Sequence, residues 1–237
     1  YRNAGRHVGR MVPLLKRFHA ILTISPITGQ VFQRYGVAPE RIHYQTQGIN
    51  PRRVPGSSES SPPAMTTLTF LGHTSPIKGL HVISRALAGL PDDVNLRINV
   101  HGNSQASADF VNGAPEVVRR RLFAGKQLVG AQVEEELART DGTLVPSQWY
   151  ENTPYAVLRT LAAGKPVLVS KLEGMTHLIQ HGRNGMVVPH ADPEAWRDAL
   201  VKVGRDPGYL RGMRANCDYT KTVRQYAEEV ERVIVTL

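Results

Sequence analysis

From Thr67 to Val203 six short apolar runs alternate with six segments of helical spacing, and this alternation leaves few folds open. A strand, a helix and a second strand running the same way build a parallel sheet with helices over both faces. The apolar runs read as strands at 67–72, 95–101, 128–129, 143–146, 166–170 and 185–188. The helical runs fall at about 79–88, 115–123, 133–139, 154–163, 175–181 and 193–203. The expected fold class is α/β, a doubly wound parallel sheet.

Before this body, Val8 to Phe18 has helical spacing with Val8, Met11, Leu14, Leu15 and Phe18 on one face, and Pro13 would kink it or delay its start. His19 to Ile24 reads as a buried strand, Ser25-Pro26 opens a helix ending near Gly36, and Arg41 to Thr46 forms another short strand. The Ser/Pro-rich run from Pro55 to Pro63 is expected to be a linker. The last helix, 223–236, should pack Val223, Tyr226, Ala227, Val230 and Val233 or Ile234. The chain thus reads as four parts: residues 1–50, a linker at 51–66, the sheet domain at 67–222, and a closing helix at 223–237.

The net charge of +9 is unevenly placed. Residues 1–53 carry nine Lys/Arg against Glu40 alone, +8, while the rest balances 20 against 19, +1. Such a surface faces something anionic, or is simply a solvated basic face. No aromatic interleaving or zinc spacing accompanies it, so nucleic acid is not the expected partner. Lipid headgroups or a phosphate-linked acceptor fit equally well. A lone cysteine, Cys217, excludes an internal disulfide framework and suits a reducing compartment. No apolar run approaches the ~20 residues that span a bilayer.

Two turns carry candidate chemistry. The first is Phe70-Leu71-Gly72-His73-Thr74-Ser75-Pro76-Ile77-Lys78-Gly79, where backbone N–H groups and an ammonium converge in a way that suits a diphosphate. It lacks the Walker spacing. The second is Pro146-Ser147-Gln148-Trp149-Tyr150-Glu151-Asn152-Thr153-Pro154, between a strand and a helix. Here Thr153 reads as the helix N-cap and Pro154 as the first helical residue, with Gly164 stopping the helix and Pro166 opening the next strand. Glu151 therefore stands at the carboxyl end of a strand, the edge where open α/β sheets bind ligands.

The second turn, with the helix, strand and loop after it, resembles the donor-domain signature of retaining glycosyltransferases of the GT-B fold, the group 1 (family 4) class. Pro146-Ser147, Glu151, Ala162-Ala163-Gly164-Lys165-Pro166-Val167 and Gly182-Arg183-Asn184-Gly185 fall at that family's spacing. The resemblance covers roughly residues 18–237. It implies a Rossmann-like C-terminal half, preceded by the tail of a second Rossmann-like half most of which is missing before Tyr1. It also implies transfer of a sugar, with retention, from a nucleotide diphosphate donor to the hydroxyl of a carbohydrate or lipid-linked acceptor. No cofactor or metal is implied. The expected location is cytoplasmic, with the basic segment available for peripheral contact at the inner face of a membrane.

Carried onto this sequence, the family pattern makes Lys78, Glu151 and His73 the catalytic candidates. Lys78 and His73 would meet the leaving diphosphate, His73 standing where the family has Arg. Glu151 would accept from donor-sugar hydroxyls. Gly72, Gly79, His101, Gly102, Asn152, Thr153, Tyr155, Arg159 and Gly174 would line the donor and nucleotide site. Arg159 departs from the pattern, since eight residues on from Glu151 the family has a second Glu that accepts from ribose hydroxyls. An arginine has five donors and no acceptor, so donor binding should weaken by roughly 1–3 kcal/mol. Arg159 could instead donate to a ribose oxygen or pair with a phosphate; Arg159→Glu should tighten nucleotide binding if the site is merely degenerate and weaken it if Arg159 has its own role. His177 replaces a further Glu and reads as a helix-surface histidine.

Other enzyme classes lose support from what is missing. His19, His43, His81, His101, His181 and His190 lack metal-ligand spacing, and neither a Gly-x-Ser-x-Gly elbow nor a Gly-x-Gly-x-x-Gly fingerprint occurs. The rival expectation is a catalytically degenerate module that binds or scaffolds a partner. The changes at His73, Arg159 and His177 support it.

Overall fold

The computed structural model describes residues 4–50 and 65–236. Most of the expected linker falls outside them. In chain order the elements are α1 (Ala4–Leu15), β1 (Ile21–Thr23), α2 (Pro26–Arg34), β2 (Ile42–Tyr44), β3 (Thr66–Leu71), α3 (Leu80–Ala88) and β4 (Leu96–His101). Then come α4 (Ser104–Asn112), α5 (Glu116–Arg119), β5 (Leu122–Ala124), α6 (Ala131–Arg139), β6 (Gly142–Val145), α7 (Tyr155–Ala162) and β7 (Val167–Ser170). The last are β8 (Gly185–Val188), α8 (Pro193–Arg205), α9 (Pro207–Met213) and α10 (Val223–Val235). The chain divides into two compact units, residues 1–50 with 221–237, and residues 51–220.

The larger unit holds a six-stranded sheet in the order β5-β4-β3-β6-β7-β8, with every pairing parallel. This is the α/β, doubly wound class expected from the alternation. Leu68, Ile98, Val167, Leu168 and Val169 are fully buried, as strands covered on both faces require. The helices add Ile83 and Leu87 from α3, Leu158 and Leu161 from α7, and Trp196, Leu200 and Val203 from α8. Sequential strands run outward from β3 to the β5 edge, and the chain then returns to place β6 on the other side of β3. That reversal between β3 and β6 is the topological switch point, where the carboxyl ends of adjacent strands diverge and leave a crevice.

Several boundaries differ from expectation. The helix expected at 115–123 stops at Arg119, and Leu122–Ala124 becomes β5, paired with Ile98–Val100. Val118 and Leu122 are both buried, so their i,i+4 spacing imitates one helix face. Leu128-Val129 is loop rather than strand. The helix expected at 175–181 shrinks to a single 3-10 turn, Thr176–Leu178, because the Asn184 side chain takes its backbone groups. Asn184 Oδ1 accepts from Gln180 N at 2.8 Å and Asn184 Nδ2 donates to Leu178 O at 3.0 Å. α4 and α9 have no counterpart in the expected pattern, yet both are capped by side chains, Asn103 accepting from Ala106 N and Asp206 from Gly208 N.

In the smaller unit β1 and β2 form a two-stranded parallel sheet. α10 opens with a capping box between Thr222 and Gln225. Its stripe is narrower than expected: Tyr226, Val230 and Val233 are half-buried, while Val223 and Ile234 are exposed. Lys221 pairs with Glu229 on this helix, and Gln45 Nε2 donates to the Glu229 carbonyl at 3.0 Å. Along α1 and just past it, Val8, Met11, Leu14 and Phe18 are all exposed. No helix among the described residues is long and apolar enough to cross a membrane.

Candidate functional site

The switch point brings together two turns far apart in sequence. Phe70 of β3 lies in register with Leu144 of β6, so the turns after them leave the sheet side by side. Lys78 Nζ lies 2.5 Å from Glu151 Oε1, with both side chains partly buried. Ser147 Oγ donates to the same carboxylate oxygen at 2.6 Å. Gln148 N donates to Ile77 O at 2.7 Å and knits the two turns along their backbones. Gly79 makes this approach possible: its φ is +79°, and a Cβ there would lie 1.8 Å from the Pro146 carbonyl oxygen.

A cavity of about 380 Å³ opens at the ends of β3 and β4, and neither Lys78 nor Glu151 lines it. Gly72 and His73 line it from the β3 turn, His101, Gly102 and Asn103 from the β4 end, and Tyr155 and Arg159 from α7. Gly102 is required there, since a Cβ would sit 2.3 Å from the Gly72 carbonyl oxygen. Gln127 and Leu128, from the β5–α6 loop, and Val133 complete the wall.

The remaining expected residues are placed differently. Gly79 serves the contact between the two turns. Asn152 is exposed on the loop. Thr153 is not the helix N-cap: Pro154 takes that position, with φ −65° and ψ 135°, and α7 begins at Tyr155. Thr153 instead adopts φ +56°, an unusual conformation for a β-branched residue, with its side chain buried. Its N–H donates to the Gly174 carbonyl at 3.2 Å, and neither residue lines the cavity. His177, expected on a helix surface, lies half-buried with Nε2 3.5 Å from Thr153 Oγ1. Burial holds its imidazole below the ordinary value.

Two carboxylates that the sequence motifs do not single out act from α6. Glu134 is buried and takes Arg159, whose Nε and Nη2 lie 2.9 Å and 2.5 Å from Glu134 Oε1. Arg159 Nη2 also donates to the Gly130 carbonyl at 2.8 Å. Glu136 Oε1 accepts from Thr69 Oγ1 and Asn99 Nδ2, both at 2.9 Å, and faces His101 Nε2 at 3.3 Å. The hydrogen bond from His101 is the largest cause that holds the Glu136 carboxyl down at about 2; burial opposes it, and Asn99 and Thr69 reinforce it. Among the described residues no group of three or more His, Cys, Asp or Glu side chains is placed to hold a metal ion.

The arrangement offers a cation paired with a carboxylate on the β3 and β6 turns, and a cavity edged by Gly72, His73 and Gly102, groups that suit an anionic, hydroxyl-bearing ligand. Comparison with known proteins agrees with the fold. The chain overlays on the crystal structure of Anabaena HepE in complex with UDP and glucose with a TM-score of 0.79 and 17% identity, over 99% of this chain and 68% of that one. Sucrose-phosphate synthase from Thermosynechococcus elongatus gives the same TM-score at 17% identity, over 98% and 61%. In sequence the chain is 25% identical to a D-inositol 3-phosphate glycosyltransferase of Rhodococcus jostii, over 90% of this chain and 50% of that protein. It is 28% identical to a phosphatidyl-myo-inositol mannosyltransferase of Mycobacterium leprae, over 82% and 58%. The chain thus spans little more than half the length of these relatives. Residues 66–206 match the family described as glycosyl transferases group 1. The match takes in more than half of the chain and all six strands of the larger sheet, and the chain belongs to the group 1 glycosyltransferases of the GT-B fold.

Proposed function

We propose that this chain is the donor-binding half of a retaining glycosyltransferase that uses a nucleotide diphosphate-sugar. One observation carries the reading: Lys78 and Glu151 meet at the switch point, and the turn that bears Lys78 also sends Gly72 and His73 into the wall of the cavity shared with His101 and Tyr155. The diphosphate would lie across Gly72 and His73, with the Lys78 ammonium taking charge that develops as the sugar departs. A preorganised cation at that position acts where the transition state becomes more negative. Glu151, relieved of Lys78 by the diphosphate, would accept hydrogen bonds from sugar hydroxyls. Lys78 and His73 answer the charge, so the reading calls for no metal or cofactor.

The acceptor, a carbohydrate or a lipid-linked hydroxyl, would be held with the help of sequence beyond the donor half. The basic residues 1–53 would favour an anionic acceptor or an anionic lipid surface at the inner face of a membrane. Calorimetric titration with UDP and with GDP tests the site. Saturable heat from either supports it, and silence at millimolar nucleotide from a chain shown to be folded refutes it. The anomeric configuration of the product, read by NMR with the longer protein, tests retention. One observation favours the rival reading of a degenerate binding module: Arg159 is engaged by Glu134 and the Gly130 carbonyl rather than left to a ribose.

A further inference from the structure

We propose that His101 is a positioning residue: as an imidazolium it clamps the β5–α6 loop and so fixes the cavity wall made by Gln127 and Leu128. The ring stands at the end of β4 with its side chain only 11% exposed. Nδ1 lies 3.0 Å from the Lys126 carbonyl oxygen, on the loop just before Gln127. Nε2 lies 3.3 Å from Glu136 Oε1, on α6. Gly125 lies close against the ring, since a Cβ there would fall 2.4 Å from both Nδ1 and Cε1. The loop has a weaker second tether, Gln127 N to Ser104 Oγ at 3.3 Å.

Both ring nitrogens therefore face groups that can only accept. A carbonyl oxygen has no proton to give, and the Glu136 oxygen already accepts from Thr69 and Asn99. A neutral imidazole has one N–H and satisfies one of the two; the protonated ring satisfies both. With both N–H groups engaged, His101 has none left for a ligand, and its effect on the cavity runs through the loop. The charged groups facing it are Glu136 from α6, which favours the proton, and Lys126 from the loop, which opposes it. Burial is the largest single influence and opposes the charge, yet the bonds to Glu136 and to the Lys126 carbonyl together outweigh it and the ring stays protonated to higher pH than usual. When the proton leaves, the carboxylate keeps the remaining N–H, because a charge-assisted bond is the stronger one. A bare Nδ1 then faces the Lys126 carbonyl, and the clamp opens.

The clamp itself stands on the free chain, whereas its link to ligand rests on the nucleotide reading above, so the test separates them. NMR of the folded chain would follow the His101 ring nitrogens and the Lys126–Leu128 amides from about pH 5 to about pH 9. The expected result is a ring midpoint above the ordinary histidine value and loop amides that shift with that midpoint. Glu136→Gln should move both midpoints down together, and His101→Phe should leave the loop in its alkaline state throughout. Affinity for UDP should fall roughly tenfold through the same midpoint, the effect of losing about one hydrogen bond, with His101→Phe giving the baseline for titration of UDP itself. A ring midpoint at or below the ordinary histidine value, or loop amides that ignore the ring, overturns the clamp whatever UDP does. A loop that follows the ring in a chain that binds no UDP upholds the clamp and defeats the nucleotide reading. UDP binding that ignores the loop's midpoint overturns the wall's part in binding.

Discussion

Gly79→Ala should separate the two turns that make the site, and Gly164→Ala supplies its control. Both glycines occupy left-handed backbone, at φ +79° and +71°. An alanine in that region costs about 1–2 kcal/mol at either position. The surroundings then differ. A Cβ on Gly164 meets nothing within 4 Å, whereas one on Gly79 would lie 1.8 Å from Pro146 O and 2.7 Å from the carbon of that carbonyl. These are backbone atoms that cannot swing aside, so the turn must lift off the Pro146–Gln148 loop. Overpacking of this kind adds about 1–3 kcal/mol. The Ile77–Gln148 backbone bond and the 2.5 Å approach of Lys78 to Glu151 both depend on that seating. Thermal unfolding followed by circular dichroism should therefore place Gly79→Ala about 5 °C below Gly164→Ala. UDP affinity should fall in Gly79→Ala and hold in Gly164→Ala. Equal melting temperatures, with equal UDP affinity, would refute the reasoning that the glycine seats one turn on the other.

The charges make three further outcomes testable. Glu136 has a folded value of about 2 against 4.5, so its contribution of about 3 kcal/mol is present above 4.5 and is lost as the pH falls through about 2; Glu136→Gln should flatten the acid limb of a stability–pH curve, and an unchanged limb would contradict the assignment. Arg159→Glu would set a carboxylate against buried Glu134, so it should destabilise the chain by about 3 kcal/mol and weaken UDP binding, with partial recovery in the exchange Glu134→Arg with Arg159→Glu. That reverses the expectation from the family pattern alone. Cys217 is buried with its thiol pushed up to about 12, chiefly by that burial, and should resist iodoacetamide until the chain unfolds; rapid labelling of the folded chain would show otherwise.

The sheet is legible because strands buried on both faces must be continuous apolar runs, and the Gly and Pro residues that end them are local signals. β5 escapes because it has three residues at the sheet edge and comes after a helical turn with matching spacing. Lys78 and Glu151 can each be picked out from their own turn. Their meeting depends on β3 lying beside β6, a pairing that no local pattern records. The run Glu134-Glu135-Glu136 resembles a solvated acidic face, yet Glu134 turns in to Arg159 and Glu136 to His101, and only Glu135 is exposed. Three adjacent acids carry no sign of which face each will take. Thr153 misleads because Ser/Thr before Pro is a cap signal, whereas here the chain needs a left-handed residue to bring its N–H to Gly174.

A crystal structure of the chain soaked with UDP addresses the central claim most directly. The diphosphate should lie over Gly72 and His73, with an oxygen about 2.8 Å from Lys78 Nζ, a charge-assisted distance, and Glu151 released from its ion pair. Density for UDP elsewhere on the molecule, with the Lys78–Glu151 pair unbroken, would contradict it.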